Sequence, residues 1–194
     1  MRAVLTIGQG ERDQLVYRDD VEKPEPSADE VIVRVEATAL NYNDIFTRRG
    51  MPGIKIDMPV IVGSDIAGEV DAIGSDVSPD LQGKRVLIDP ILRSGRGGMI
   101  GETVDGGRAE YVRAPAANLV AMPDNVSMED AAALPLAYGT AWRMMRTNGQ
   151  VEQGKRVLIL GASGGVGVAC LQIAKMLDCE VVACASSDGK LQRL

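Results

Sequence analysis

Four glycines carry the clearest chemistry in this sequence. Gly161, Gly164, Gly165 and Gly167 lie within "VLILGASGGVGVACLQIAKML", residues 157–177. The apolar run before them reads as a buried parallel strand. A turn without Cβ atoms lets a pyrophosphate approach the backbone, and the helix that starts there offers free N–H groups and the positive end of its dipole. The last glycine allows the helix to pack close to the strand. Ser163, Gly164, Gly165 and Val166 are therefore expected to hold the phosphates. Val168, Leu171, Ala174 and Leu177 recur at roughly helical spacing and predict the sheet-covering stripe. The strand "EVVACA" follows and completes a β-α-β unit. No Gly-Lys-Ser/Thr follows the turn, so it is not a P-loop.

The end of that second strand selects the dinucleotide. NAD sites place an Asp or Glu there for the ribose 2′-hydroxyl. Here "ACASSDGK" puts Ser186 and Ser187 first and Lys190 within reach. Hydroxyls plus a cation suit a 2′-phosphate, so NADPH is the expected cofactor, with Asp188 keeping NADH open. The same residues also suit the cap of a following helix, and one residue can do both.

Composition narrows the remaining chemistry. Of 194 residues, 45% are hydrophobic and 25% charged, as in an ordinary globular protein. A net charge of −6 argues against nucleic acid, whose phosphates need clustered Lys and Arg. No apolar run is long enough to span a membrane, and the N-terminal apolar run is too short for a signal peptide. The expectation is a cytoplasmic protein acting on a small molecule. The chain has no histidine, which rules out a Ser–His–Asp or Cys–His catalyst within it. Cys170, Cys179 and Cys184 form no CxxC pattern. Cys170 and Cys184 read as small core residues.

These candidates need elements to hold them. "RAVLT", "QLVYRD", "DEVIVRVEATAL", "KRVLIDP", "GGRAEYVRAP" and "NLVAMP" read as strands. "MPVIVGSDIAGEVDAIGSDV" reads as a strand with a glycine at each bend, hence a tightly curved sheet. "NYNDIFTRRG" interrupts the alternation as a short helix stopped by Gly50. Residues 91–107, glycine-rich and without periodicity, read as a long exposed loop. At "MPDNVSMEDAAALPLAYGTAW" the character changes: Ser127 and Asp130 form a capping-box-like start, and Pro135 opens a second helix or kinks the first. The boundary is expected near Pro123, giving a β-rich domain over 1–123 and an α/β domain over 124–194.

The sequence resembles the medium-chain dehydrogenase/reductase superfamily, and within it the zinc-free quinone oxidoreductase-like, alcohol dehydrogenase-like branch. The resemblance covers the whole chain. It rests on "VEATALNYNDIFTRRG", "PVIVGSDIAGEVDAIG", "DGGRAEYVRAP", "AAALPLAYGTAW" and "GASGGVGVACLQIAK". It implies an α/β plus β fold: a GroES-like, partly open β-barrel followed by the first part of a Rossmann domain, a doubly wound parallel sheet. It also implies that the chain is the front part of a longer enzyme. Zinc-dependent members carry a cysteine where this chain has Asn41, and a histidine where it has Ser64. The lobe that holds their structural zinc matches residues 90–107, which contain no cysteine. No metal is expected.

By resemblance, the reaction is hydride transfer from a reduced nicotinamide to a quinone or α,β-unsaturated carbonyl. Without a Lewis acid, the growing oxyanion needs hydrogen-bond donors. Asn41, Tyr42 and Asn43, on the helix replacing the metal-ligand segment, are the candidates. Thr140 matches a position facing the nicotinamide. Asp44 and Asp65 are expected to hold backbone and helix, and Arg48 and Arg49 to be a solvated pair. Two other readings stay open: a catalytically silent nucleotide binder, and a fragment whose sheet edge pairs with another chain. A homodimer is compatible with the resemblance, but the oligomeric state cannot be inferred from this chain.

Overall fold

The computed structural model describes residues 1–53, 55–93, 95 and 97–194. The chain divides into two compact units, Met1–Pro135 and Leu136–Leu194.

The first unit is built from antiparallel strands. β1 (Ala3–Thr6) lies between β2 (Leu15–Arg18) and β4 (Val60–Ile61). A second sheet runs β10-β6-β5-β3-β9, made of β3 (Glu30–Ala39), β5 (Asp65–Ile73), β6 (Arg85–Ile88), β9 (Tyr111–Pro115) and β10 (Leu119–Ala121). A bridge from Ala3 to Ala109 brings the two together, as a partly open barrel requires. The expected curvature is present: the β3–β5 register shifts at Ile32/Val33 and again at Val35/Ala37. Bulges of this kind bend a strand and increase its twist. At the second shift a Cβ on Gly68 would lie 2.1 Å from the carbonyl oxygen of Arg34, so only glycine lets the strands approach. Val31, Val33, Ile66, Val70, Val86, Ile88 and Val112 fill the barrel with aliphatic side chains.

Residues 91–107 depart from the expected loop. β7 (Ile91–Leu92) and β8 (Gly98–Met99) pair as a small hairpin, and Ile100 is fully buried in the barrel core. Gly101 and Gly106 then lie directly on the backbone of Gly63. Glycines that suggested flexibility are here the residues that permit close packing. Ser94 and Arg96, within the same expected loop, lie outside the described residues.

The first unit also extends past Pro123, where the boundary was expected. Ser127 Oγ accepts the Asp130 N–H at 3.0 Å and starts α2 (Met128–Ala132). Ala131 and Ala132 of that helix pack against Ala67 and Ala37 of the barrel. The compositional change therefore precedes the structural boundary, because the first alanine-rich helix caps the barrel.

α3 (Pro135–Trp142) begins at the proline and runs into a π-helical turn, Arg143–Asn148. The second unit then holds β11 (Arg156–Leu160), α4 (Gly165–Met176), β12 (Glu180–Cys184) and α5 (Asp188–Leu191). β11 and β12 pair in parallel, Ile159 opposite Ala183. The buried stripe of α4 is Ala169, Cys170, Ile173 and Ala174, rotated from the predicted one. A strict three-residue spacing drifts around a helix of 3.6 residues per turn, and small side chains let this face approach the strands most closely.

Cys170 is buried as expected, but Cys184 is exposed. Along β11 and β12 one face meets α4, while Leu158, Leu160, Val182 and Cys184 point to the other, which nothing in the unit covers. Burial also pushes the Cys170 thiol above its ordinary range, leaving less thiolate at a given pH. Maleimide labelling near neutral pH is thus expected to modify Cys184 first and Cys170 only on unfolding. Peptide mapping of partly labelled chain checks the order, and early loss of Cys170 would contradict it.

Candidate functional site

In the first unit the candidate residues lie at the start of α1 (Tyr42–Arg49), for which Asn41 is the N-cap. Asp44 Oδ2 accepts the backbone N–H of Asn41 at 2.8 Å, the acidic arm of a capping box. Asn41 Nδ2 donates to Asp65 Oδ2 at 2.8 Å. A carboxylate only accepts, so this bond determines which end of the carboxamide is nitrogen. Asp44 thus holds backbone at the start of the helix, as expected, while the Asp65 carboxylate holds the Asn41 side chain.

The three expected donors differ in their surroundings. Asn41 has one amide N–H committed to Asp65 and one left. Asn43 Nδ2 is buried and makes no hydrogen bond among the described residues, which leaves its donor capacity unused there. Tyr42 is 76% exposed, with its ring 6.1 Å from that of Phe46. The only phenylalanine of the chain is thus spent on a surface rather than in the aliphatic core. Arg48 corrects its expected role: it is 7% exposed and donates to the carbonyl of Gly10, tying α1 to the loop after β1. Arg49 stays at the surface beside Glu11.

Sequence reading missed Arg108. It stands in the quoted motif "DGGRAEYVRAP", but nothing local shows that it reaches back 64 residues to Asp44. The Arg108 Nη2 to Asp44 Oδ2 distance is 2.7 Å, with the two side chains 17% and 2% exposed.

In the second unit the candidate residues lie at the glycine turn. Gly161 adopts φ +65°, a left-handed conformation that strains other residues. A Cβ on Gly167 would sit 2.4 Å from the Gly161 carbonyl oxygen and 2.7 Å from Ala162 Cα. The helix is therefore pressed onto the turn with no room for a methyl group. Gly165, by contrast, faces open space. Gly164 is the N-cap of α4, and no side chain caps this end. The first N–H groups of a helix have no intrahelical acceptor, so this exposed end of a twelve-residue helix fits an anion such as a pyrophosphate.

Ser186 and Lys190 are brought together across the start of α5, Lys190 Nζ donating to Ser186 Oγ at 2.9 Å. Ser187 is the N-cap of α5 but makes no side-chain capping bond, which leaves its hydroxyl available. Thr140 is exposed on α3, next to the buried Ala141. That helix is tied to α4 by Tyr138 Oη donating to Gln172 Oε1 at 2.7 Å. Among the described residues no three His, Cys, Asp or Glu side chains are grouped to hold a metal ion. None of the described helices is long and apolar enough to cross a membrane.

Comparison with known proteins covers both units. The family described as alcohol dehydrogenase GroES-like domain matches residues 27–124. Human quinone oxidoreductase is 31% identical over 188 residues, covering 97% of this chain and 54% of the human protein. A crystal structure of an NAD-dependent alcohol dehydrogenase superposes with a TM-score of 0.91 at 40% identity, covering all of this chain and 60% of that one. Quinone oxidoreductase of Pseudomonas syringae pv. tomato DC3000 follows with a TM-score of 0.83 at 33% identity, covering 97% and 54%. The chain thus spans about half the length of the curated quinone oxidoreductases that it matches. With its GroES-like barrel, its partial Rossmann unit and these relatives, the chain belongs to the medium-chain dehydrogenase/reductase superfamily.

Proposed function

We propose that this chain forms part of a zinc-independent, NADPH-dependent oxidoreductase that reduces a quinone or an α,β-unsaturated carbonyl. The observation that carries the reading is the uncapped N-terminus of α4 behind a turn that only glycine can form. A bound nicotinamide supplies the hydride. The amides of Ser163, Gly165 and Val166 would grip the pyrophosphate, Gly164 shaping the turn with its own N–H donated to the Gly161 carbonyl at 2.9 Å, and Thr140 would orient the nicotinamide. Ser186 and Lys190 take the 2′-phosphate. Asn43 Nδ2, the remaining N–H of Asn41 and the Tyr42 hydroxyl donate to the oxyanion that forms as hydride arrives. The ligating types of the zinc-dependent relatives are replaced by Asn41 and Ser64, which supports a reaction run on hydrogen bonds. One solved neighbour is described as NAD-dependent, so NADH is the competing ligand. The Ser186–Lys190 pair favours NADPH, because a 2′-phosphate adds charge that a ribose hydroxyl lacks.

Titration with each cofactor, following quenching of the single tryptophan, Trp142, tests this directly. NADPH is expected to bind more tightly than NADH. Lys190→Ala should cost NADPH roughly five- to tenfold in affinity, a modest effect because the site is exposed, and leave NADH unchanged. Equal loss of both cofactors would remove the 2′-phosphate assignment. Tight binding without turnover of any quinone or enone would favour a silent nucleotide binder.

A further inference from the structure

The Arg108–Asp44 pair is only half made. Arg108 Nη2 meets Asp44 Oδ2, while Arg108 Nε and Asp44 Oδ1 are both buried and unbonded. A guanidinium beside a carboxylate ordinarily forms two parallel bonds. The open pair is a costly arrangement, since burying two charges is weak support for stability and an apolar replacement serves as well. What the pair does secure is direction. Asp44 Oδ2 is shared between Arg108 and the Asn41 N–H, so the guanidinium sets where the carboxylate sits and the carboxylate sets where α1 begins. Asn41 then meets Asp65 through its side chain. Arg108 itself is placed by backbone: its carbonyl accepts from Val4, its N–H donates to Val62, and its Cγ passes where a Cβ on Gly63 would lie 3.1 Å away.

We propose that Arg108 is a positioning residue: acting through Asp44, it fixes the orientation of Asn41 and the N-terminus of α1. The inference rests on the site reading above for its catalytic consequence, but not for its geometry.

The test compares the 194-residue chain with Arg108→Met and Arg108→Lys. The primary readout is hydrogen exchange of the Asn41 side-chain amide by ¹H–¹⁵N NMR. Asn118, whose Nδ2 donates to the Asp89 and Ile91 carbonyls, is the internal control. Arg108→Met is expected to speed Asn41 exchange roughly tenfold or more, as loss of a charge-assisted bond implies, with Asn118 unchanged. Arg108→Lys should restore part of the protection, and it serves alone, with a smaller increase, if the methionine variant does not fold. Unchanged Asn41 exchange in a folded variant overturns the proposal, as does an equal rise at Asn118, which would show general loosening. In parallel, NADPH-dependent quinone turnover should fall in kcat while NADPH binding at the glycine turn stays constant. If the parent chain gives no turnover, the functional reading fails, and the exchange measurement still decides the positioning role.

Discussion

Replacing Gly167 by valine is expected to destabilise the second unit by about 1–3 kcal/mol and to abolish saturable cofactor binding. Its first added carbon would lie 2.4 Å from one backbone atom and 2.7 Å from another, neither of which can swing aside. α4 must lift off the turn, and the buried contacts of Ala169, Cys170 and Ile173 loosen with it. The matched variant is Gly165→Ala. Nothing lies within 4 Å of the added methyl, so the fold should hold, with stability unchanged or raised by up to about 1 kcal/mol. That methyl nevertheless stands at the exposed helix start, where the pyrophosphate is proposed to bind, and should weaken NADPH by roughly tenfold through steric exclusion. Urea unfolding and Trp142 titration of both variants separate the two effects. Full NADPH affinity in Gly165→Ala would show that the helix N-terminus is not the binding site.

The second large effect is expected for Asp44→Ala, with a loss of about 3–5 kcal/mol in chemical denaturation. Removing this carboxylate strands the Arg108 guanidinium at 17% exposure and leaves the Asn41 N–H without its acceptor. Asp44→Asn retains an acceptor oxygen and should cost less. The physical signature is non-additivity. Combining Asp44→Ala with Arg108→Met removes both charges, so the double variant should recover part of the loss, with a coupling energy in the range of about 0.5–3 kcal/mol. Simple addition of the two single losses would mean that the pair contributes no mutual stabilisation.

Local chemistry was legible in the sequence where each residue's role depends on its near neighbours. The order of apolar strand, glycines, helix and second strand specified the β-α-β unit, because backbone sterics and helix dipoles act over a few residues. Ser127 and Asp130 marked the start of α2, and Gly50 the end of α1, for the same reason. The motifs also carried the family, since an ordered set spread along the chain is specific where one glycine pattern is not.

Tertiary structure decided what depends on distant chain. Whether residues 91–107 form loop or packed structure turns on Gly63, which lies against Gly101 and Gly106 only once the barrel closes. Cys184 looked like core because its strand is apolar, but burial of a strand face depends on what is laid against it, and here only the face toward α4 is covered. Arg48 and Arg49 are neighbours of the same type, yet the helix turns one inward to the Gly10 carbonyl and leaves the other in solvent. Above all, the 64-residue span from Asp44 to Arg108 has no periodicity to betray it. An ion pair of this kind is written in the path of the backbone, which places two side chains face to face only after the sheets have formed.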